Sequence, residues 1–152
     1  MKIGKKAEKQ NPALKPLQGF IGKWKTKGAH PLVPGVTLHG HASFDWLEDG
    51  AFLIVRFDIE HELFPDGISI IGTDNTNEDG YMLYFDERGV SRKMDVQFQG
   101  NVLKWWRTAP EFSQRYTLTL SVDRNTIDGK GEMSKDGVNW EQDLDLSYKR
   151  ID

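Results

Sequence analysis

Leu17-Gln18-Gly19-Phe20-Ile21-Gly22-Lys23-Trp24 is the stretch that decides the fold: an apolar turn breaks at Gly22, and the chain enters an extended segment through Trp24. Ahead of it, Asn11-Pro12 supplies a helix N-cap followed by proline at the first helical position. Leu14, Leu17 and Ile21 keep a spacing of about one turn. Pro16 has no N–H and its ring crowds the preceding turn, so this spacing predicts a short, partly 3₁₀ segment lying across one end of the molecule.

From Lys23 onward the apolar period is two, and turn signals recur about every eight to twelve residues. After a first strand over residues 23–29, residues 36–47 set Val36, Leu38, Gly40, Ala42, Phe44 and Trp46 against Thr37, His39, His41, Ser43 and Asp45. Glu48-Asp49-Gly50 turns into a strand over residues 51–62, whose core face carries Leu53, Val55, Phe57, Ile59 and His61. Residues 68–74 have isoleucines on both faces, and after a turn over 75–80 a strand runs from Tyr81 to Phe85. The next strand aligns Val90, Arg92, Met94, Val96 and Phe98.

Residues 102–108 carry adjacent Trp105 and Trp106, which must point to opposite faces; Trp106 is read as inward and Trp105 as the exposed ring. Tyr116, Leu118, Leu120 and Val122 form the following inward face, then Ile127, Gly129, Gly131 and Met133. The last strand reads as one amphipathic run with Trp140, Gln142, Leu144, Leu146, Tyr148 and Arg150 on its inner face. About ten short strands joined by hairpin-sized turns expose two edges unless the meander closes. The expected fold is therefore all-β, an up-and-down antiparallel barrel of about ten strands with a short N-terminal helix closing one end. Residues 1–10 read as a flexible basic tail and residues 11–152 as a single barrel domain.

With 152 residues, 38% hydrophobic and 28% charged, the chain is long enough to bury its own core. A net charge of -3 argues against a nucleic-acid partner, which calls for a basic face. The absence of cysteine excludes disulfides and thiolate chemistry. A polar segment follows the basic N-terminus where a signal peptide needs an apolar run, and nothing reaches the length of a membrane span, so the expected location is cytoplasmic.

Gly22-Lys23-Trp24 after a short helix resembles the Gly-x-Trp entry of the lipocalin and fatty-acid-binding-protein superfamily, the calycins. Tyr148-Lys149-Arg150 is similar to the terminal strand whose arginine in many of those barrels lies against the entry tryptophan. The run from Phe44 to Leu53, with Ile71-Gly72-Thr73-Asp74 some way on, resembles a bacterial lipocalin-like family catalogued as a domain of unknown function. The resemblance covers residues 14 to 150 and implies a ten-stranded barrel with an internal pocket; it supplies no catalytic residues. A haem-binding branch uses a histidine near the C-terminus, and no histidine follows His61 here, so no haem and no other cofactor is expected.

The inward polar residues are the candidates for function. Arg92 interrupts an apolar face, where an unpaired charge is costly, so it requires an acidic neighbour or a ligand anion. His61 continues the core face of its strand and reads as a rim histidine or a ligand contact. Trp106, Tyr81, Phe57 and Phe98, with the Gln142 amide, complete the expected pocket lining. Gly22, Trp24 and Arg150 are assigned to barrel closure, Arg150 stacking on Trp24. His39 and His41 share a strand face but lack a third ligand, so no metal site is expected. The leading expectation is a binder of a small, largely apolar or amphipathic molecule, with Arg92 holding any acidic group. The alternatives are a cofactor-free isomerase, cyclase or lyase using His61 with Tyr81 or Tyr148 as proton carriers, and a self-associating protein, such as a homodimer, joined through Trp105.

Overall fold

The structure, a computed structural model, describes residues 10–74 and 80–152. The expected basic tail, apart from Gln10, and most of the turn over 75–80 lie outside the described residues. A 3₁₀ helix, Pro12–Phe20, precedes β1 (Gly22–Ala29), β2 (Leu38–Leu47), β3 (Phe52–Ile59), β4 (Gly67–Thr73), β5 (Gly80–Asp86) and β6 (Ser91–Gln99). They are followed by β7 (Val102–Arg107), β8 (Ser113–Leu120), β9 (Thr126–Ser134), the two-residue β10 (Glu141–Gln142) and β11 (Asp145–Arg150). Each strand from β1 to β9 pairs antiparallel with the next, and β11 bridges β9 and β1, so ten strands close into a barrel with no free edge.

The helix is 3₁₀ throughout its length and plugs one end. Asn11 caps it by accepting the Ala13 N–H at 3.0 Å, and the Asn11 amide donates to Thr73 Oγ1 at 2.8 Å, tying the cap to β4. Leu14, Leu17 and Phe20 are fully buried against Trp24, which is itself 0% exposed and donates its indole N–H to the Phe20 carbonyl at 3.0 Å. The Arg150 guanidinium lies 4.2 Å from the Trp24 ring and donates to the carbonyls of Ile21, Gly19 and Arg124 at 2.7, 2.8 and 2.9 Å. Gly22 is the residue that allows this: its φ is +141°, and a Cβ there would collide with the Arg150 guanidinium.

Cross-strand partners share a face, so the pairing registers decide what points inward. One inner row runs Phe44, Val55, Ser69, Tyr84, Arg92; a second runs Val96, Trp105, Tyr116, Gly131. In β4 the register places Ser69 and Ile71 inward, resolving a strand that the isoleucine pattern left ambiguous. An outer row runs Gly72, Tyr81, Asp95, Trp106, Arg115, Glu132, Gln142.

That outer row corrects three expectations at once. Strand alternation predicts Tyr81, Trp106 and Gln142 inward, and all three belong to the outside of the barrel. Trp105, read as the exposed ring, is instead inside, stacked on Tyr116 at 5.1 Å with an interplanar angle of 5°. The last strand is broken at Asp143-Leu144 between β10 and β11, so its parity slips and Gln142 is exposed. Strand β3 ends at Ile59, which leaves His61 in the β3–β4 loop.

Candidate functional site

A cavity of about 340 Å³ opens between the loops at the end of the barrel opposite the plug. Its walls are mostly apolar: Ala42, Phe44 and Val55 from β2 and β3, Met82 and Met94 from β5 and β6, Leu144 and Leu146 from the end of the chain. Two stacked aromatic pairs stand in it, Trp105 on Tyr116 and Phe57 on Tyr84, the latter at 5.8 Å. The loops after β1 and β3 bring Leu32, Leu63 and Phe64 to the rim.

Polar side chains gather near the mouth. Arg92, on β6, donates to Gln114 Oε1 on β8 at 3.2 Å, and the Gln114 amide donates to Asp143 Oδ2 at 3.0 Å. Asp143 Oδ1 is 2.9 Å from His30 Nε2. His30 Nδ1 accepts the Leu32 N–H at 2.9 Å, so the ring proton belongs on Nε2 and is donated to Asp143. Both His30 nitrogens are therefore committed, and the residue fastens the β1–β2 loop to the strand break instead of offering a free base. The Arg92 guanidinium is flanked by the rings of Phe112 at 5.4 Å and Tyr84 at 6.0 Å.

A second polar cluster lies beside the first. Asp86, whose side chain is 0% exposed, accepts the Tyr84 hydroxyl at 2.7 Å and a forked pair of bonds from Arg88, the shorter also 2.7 Å. The Arg88 hydrogen bonds hold the Asp86 carboxyl well below the usual carboxylate range, with the Tyr84 hydroxyl assisting against the opposing effect of burial. The Tyr84 phenol is pushed up to about 12, first by burial and then by the Asp86 carboxylate that it donates to. This cluster is internally neutralised.

Of the residues expected to line the pocket, Arg92 and Phe57 lie on the cavity wall, and Phe98 faces inward below it, packed against the core near the plug. His61 does not reach the cavity: its Nδ1 accepts the Leu63 N–H at 3.1 Å and its ring meets the edge of Phe64 at 5.5 Å. Tyr81 sits outside beneath the Lys93 ammonium, 5.5 Å from its ring. Trp106 lies on the outer row beside Arg115, which forms a 2.9 Å ion pair with Glu132 and stacks on Trp140 at 3.8 Å. His61, Tyr81 and Tyr148 thus do not converge, and proton transfer among them has no geometry to use. His39 and His41 are exposed on the outer face of β2, and among the described residues no group of three or more His, Cys, Asp or Glu could hold a metal ion.

The sequence reading assigns no pocket role to His30, Gln114, Asp143, Tyr84, Trp105 or Tyr116. For Gln114 a signal existed, since it lies two residues before inward Tyr116 on the same strand. For His30, in a loop, and Asp143, at a strand break, period-two reasoning has nothing to read. On β9 the missing side chain of Gly131 makes room for a neighbour: the Tyr116 ring lies over it, its Cε2 2.7 Å from where a Cβ would stand.

No protein-family model matches the chain, and no curated protein matches it. Among solved structures it is similar to the crystal structure of Rv2717c from M. tuberculosis, with a TM-score of 0.66 over 94% of this chain and 99% of that one. At 13% identity this likeness speaks to the barrel fold alone. No helix among the described residues is long and apolar enough to cross a membrane.

Proposed function

We propose that this is a calycin-like barrel that binds a small, largely apolar acid in its interior, with Arg92 as the anchor for the acidic group. The observation that carries this reading is how the polar groups at the mouth are spent. Asp86 is matched by Arg88 and Tyr84, and both carboxylate oxygens of Asp143 are taken by His30 and Gln114. Arg92 spends one N–H on the neutral Gln114 oxygen and, among the described residues, has no carboxylate partner. The rest of its fork suits a ligand carboxylate, and the cavity below it is lined by aliphatic, methionine and aromatic side chains.

The test is displacement of a fluorescent fatty acid by unlabelled apolar acids. Arg92→Gln should weaken binding roughly 10- to 100-fold, the worth of a charge-assisted hydrogen bond, while the melting temperature moves by only a few degrees. Unchanged affinity in the folded variant, or no binding of any apolar acid by the wild type, would overturn the assignment.

A further inference from the structure

Two hydroxyls in the cavity wall have no hydrogen-bond partner among the described residues. Thr26 Oγ1 and Tyr116 Oη are both buried, neither makes a hydrogen bond, and both residues line the cavity. Orphaned buried hydroxyls are uncommon because valine and phenylalanine would fill the same spaces without stripping a polar atom of water. Their position therefore points to a partner that is not part of the chain.

The Tyr116 hydroxyl is not free to turn away. The Tyr116 ring is held by Trp105 on one side and by the backbone of Gly131 against it, so packing fixes where its hydroxyl points. Thr26 sits on the inward face of β1, paired with Gly40 and Tyr148, two residues above Trp24 in the base of the barrel. Tyr116 follows Gln114 by two residues on β8, roughly 7 Å further along the strand toward the plug than the amide that holds Arg92. Along their strands both residues thus stand nearer the plug than the amide that holds Arg92.

The depth of the cavity is suited to an uncharged atom. Ala42, Val55, Met82 and Leu146 line the same cavity as Thr26 and Tyr116, while the arginine side chains Arg88 and Arg92 belong to the mouth clusters. Burial, and then the neighbouring Tyr148 and Asp143, push the Tyr116 phenol well up, so it remains an O–H donor. An anion would find no countercharge there; a carbonyl or hydroxyl oxygen would find donors.

We propose that the unpartnered hydroxyls of Thr26 and Tyr116 serve an uncharged oxygen on the ligand, each as a separate donor in the cavity wall, so that the ligand class is an oxo- or hydroxy-substituted apolar acid. This rests on Arg92 holding the acidic end. Each hydroxyl can donate to a ligand oxygen, and the apolar wall of the cavity selects a hydrocarbon link.

The experiment compares decanoic acid with a set of its keto derivatives, the carbonyl walked one carbon at a time along the chain, by isothermal titration calorimetry. One carbonyl position should bind about tenfold more tightly than decanoic acid, the worth of one to two added hydrogen bonds. In Tyr116→Phe or in Thr26→Val that preference, read as the ratio of keto acid to decanoic acid affinity within the same variant, should fall to threefold or less. If decanoic acid binds and weakens in Arg92→Gln but no keto position is preferred, the role given to the two hydroxyls is overturned and the acid-binding reading stands. A preference that survives both hydroxyl substitutions overturns the assignment to Thr26 and Tyr116. If no acid binds, both readings fall. The ketone series in the wild type decides whether a polar subsite exists even if one variant fails to fold.

Discussion

Trp24→Ala is expected to lower the stability of the barrel by about 3–5 kcal/mol, the cost of emptying a fully buried aromatic site. For a chain of this size that corresponds to a fall in melting temperature of roughly 6–20 °C. The expectation is at the high end for a single side chain because three things go together. The ring is 0% exposed beneath Leu14, Leu17 and Phe20; its indole N–H is the donor to the Phe20 carbonyl; and its face carries Arg150. Without the ring, Arg150 still finds the carbonyls of Gly19, Ile21 and Arg124, but its flat face borders a hole. Trp24→Phe keeps an aromatic face and loses the indole N–H, so it should fall between the wild type and the alanine variant. Thermal unfolding followed by far-ultraviolet circular dichroism reads both; a loss below about 1 kcal/mol in Trp24→Ala would mean that the plug does not hold the closed end together.

Asp86→Ala is expected to cost about 3 kcal/mol, because it removes a fully buried carboxylate together with its Tyr84 and Arg88 hydrogen bonds. Arg88 is half exposed and regains water, which keeps the figure below that for stranding a buried charge. The same cluster sets a pH dependence with two signs. The Asp86 carboxyl lies below its unfolded value, so its contribution is complete above about pH 4 and is lost as the pH falls further. Tyr84 is raised to about 12 against an unfolded value near 10, so its contribution is complete below about pH 10 and is lost as the pH rises toward 12. The stability difference between wild type and Asp86→Asn should therefore shrink when urea unfolding is repeated at progressively lower pH below about 4. The difference between wild type and Tyr84→Phe should shrink above about pH 10. Tyr116 and Tyr148, both also raised by burial, share the alkaline sign, so Tyr84→Phe removes only part of the alkaline loss. A difference for Asp86→Asn that is flat with pH would show that the ionised carboxylate is not what the cluster stabilises.

The parts of this architecture that were legible in the sequence are those governed by local chemistry. Period-two alternation marks the strands, Asn11-Pro12 and Pro16 mark the 3₁₀ plug, and Arg92 is visible because it interrupts Val90, Met94, Val96 and Phe98. What was not legible is register, which couples strands far apart in the chain. Tyr81, Trp106 and Gln142 occupy a single row on the outer surface, joined through Asp95, Arg115 and Glu132, and Gln142 reaches it through the break at Asp143-Leu144. In strands such as β5 and β7, with large apolar or aromatic residues at adjacent positions, composition does not say which face is wet. The ion pair of Arg115 with Glu132 and the Lys93–Tyr81 contact show how those aromatics are accommodated outside. The His30–Asp143–Gln114 chain is a meeting of a loop, a strand break and a strand, more than a hundred residues apart at its extremes, and no local pattern announces it.

The seam between β1 and β11 has a consequence for how the molecule forms. Every other junction in the ring joins strands that are neighbours along the chain, apart from the short β10 between β9 and β11, whereas this one aligns Trp24 with Arg150 and Ala29 with Asp145. Closing it brings together segments separated by nearly the whole polypeptide, the kind of non-local contact that slows folding. In any state in which β11 has not docked, β1 and β9 each present an open hydrogen-bonding edge able to pair with another chain. The carbonyl contacts of Arg150 at the base are then a latch on the last junction to close, and such a latch acts chiefly by slowing the escape from the finished ring.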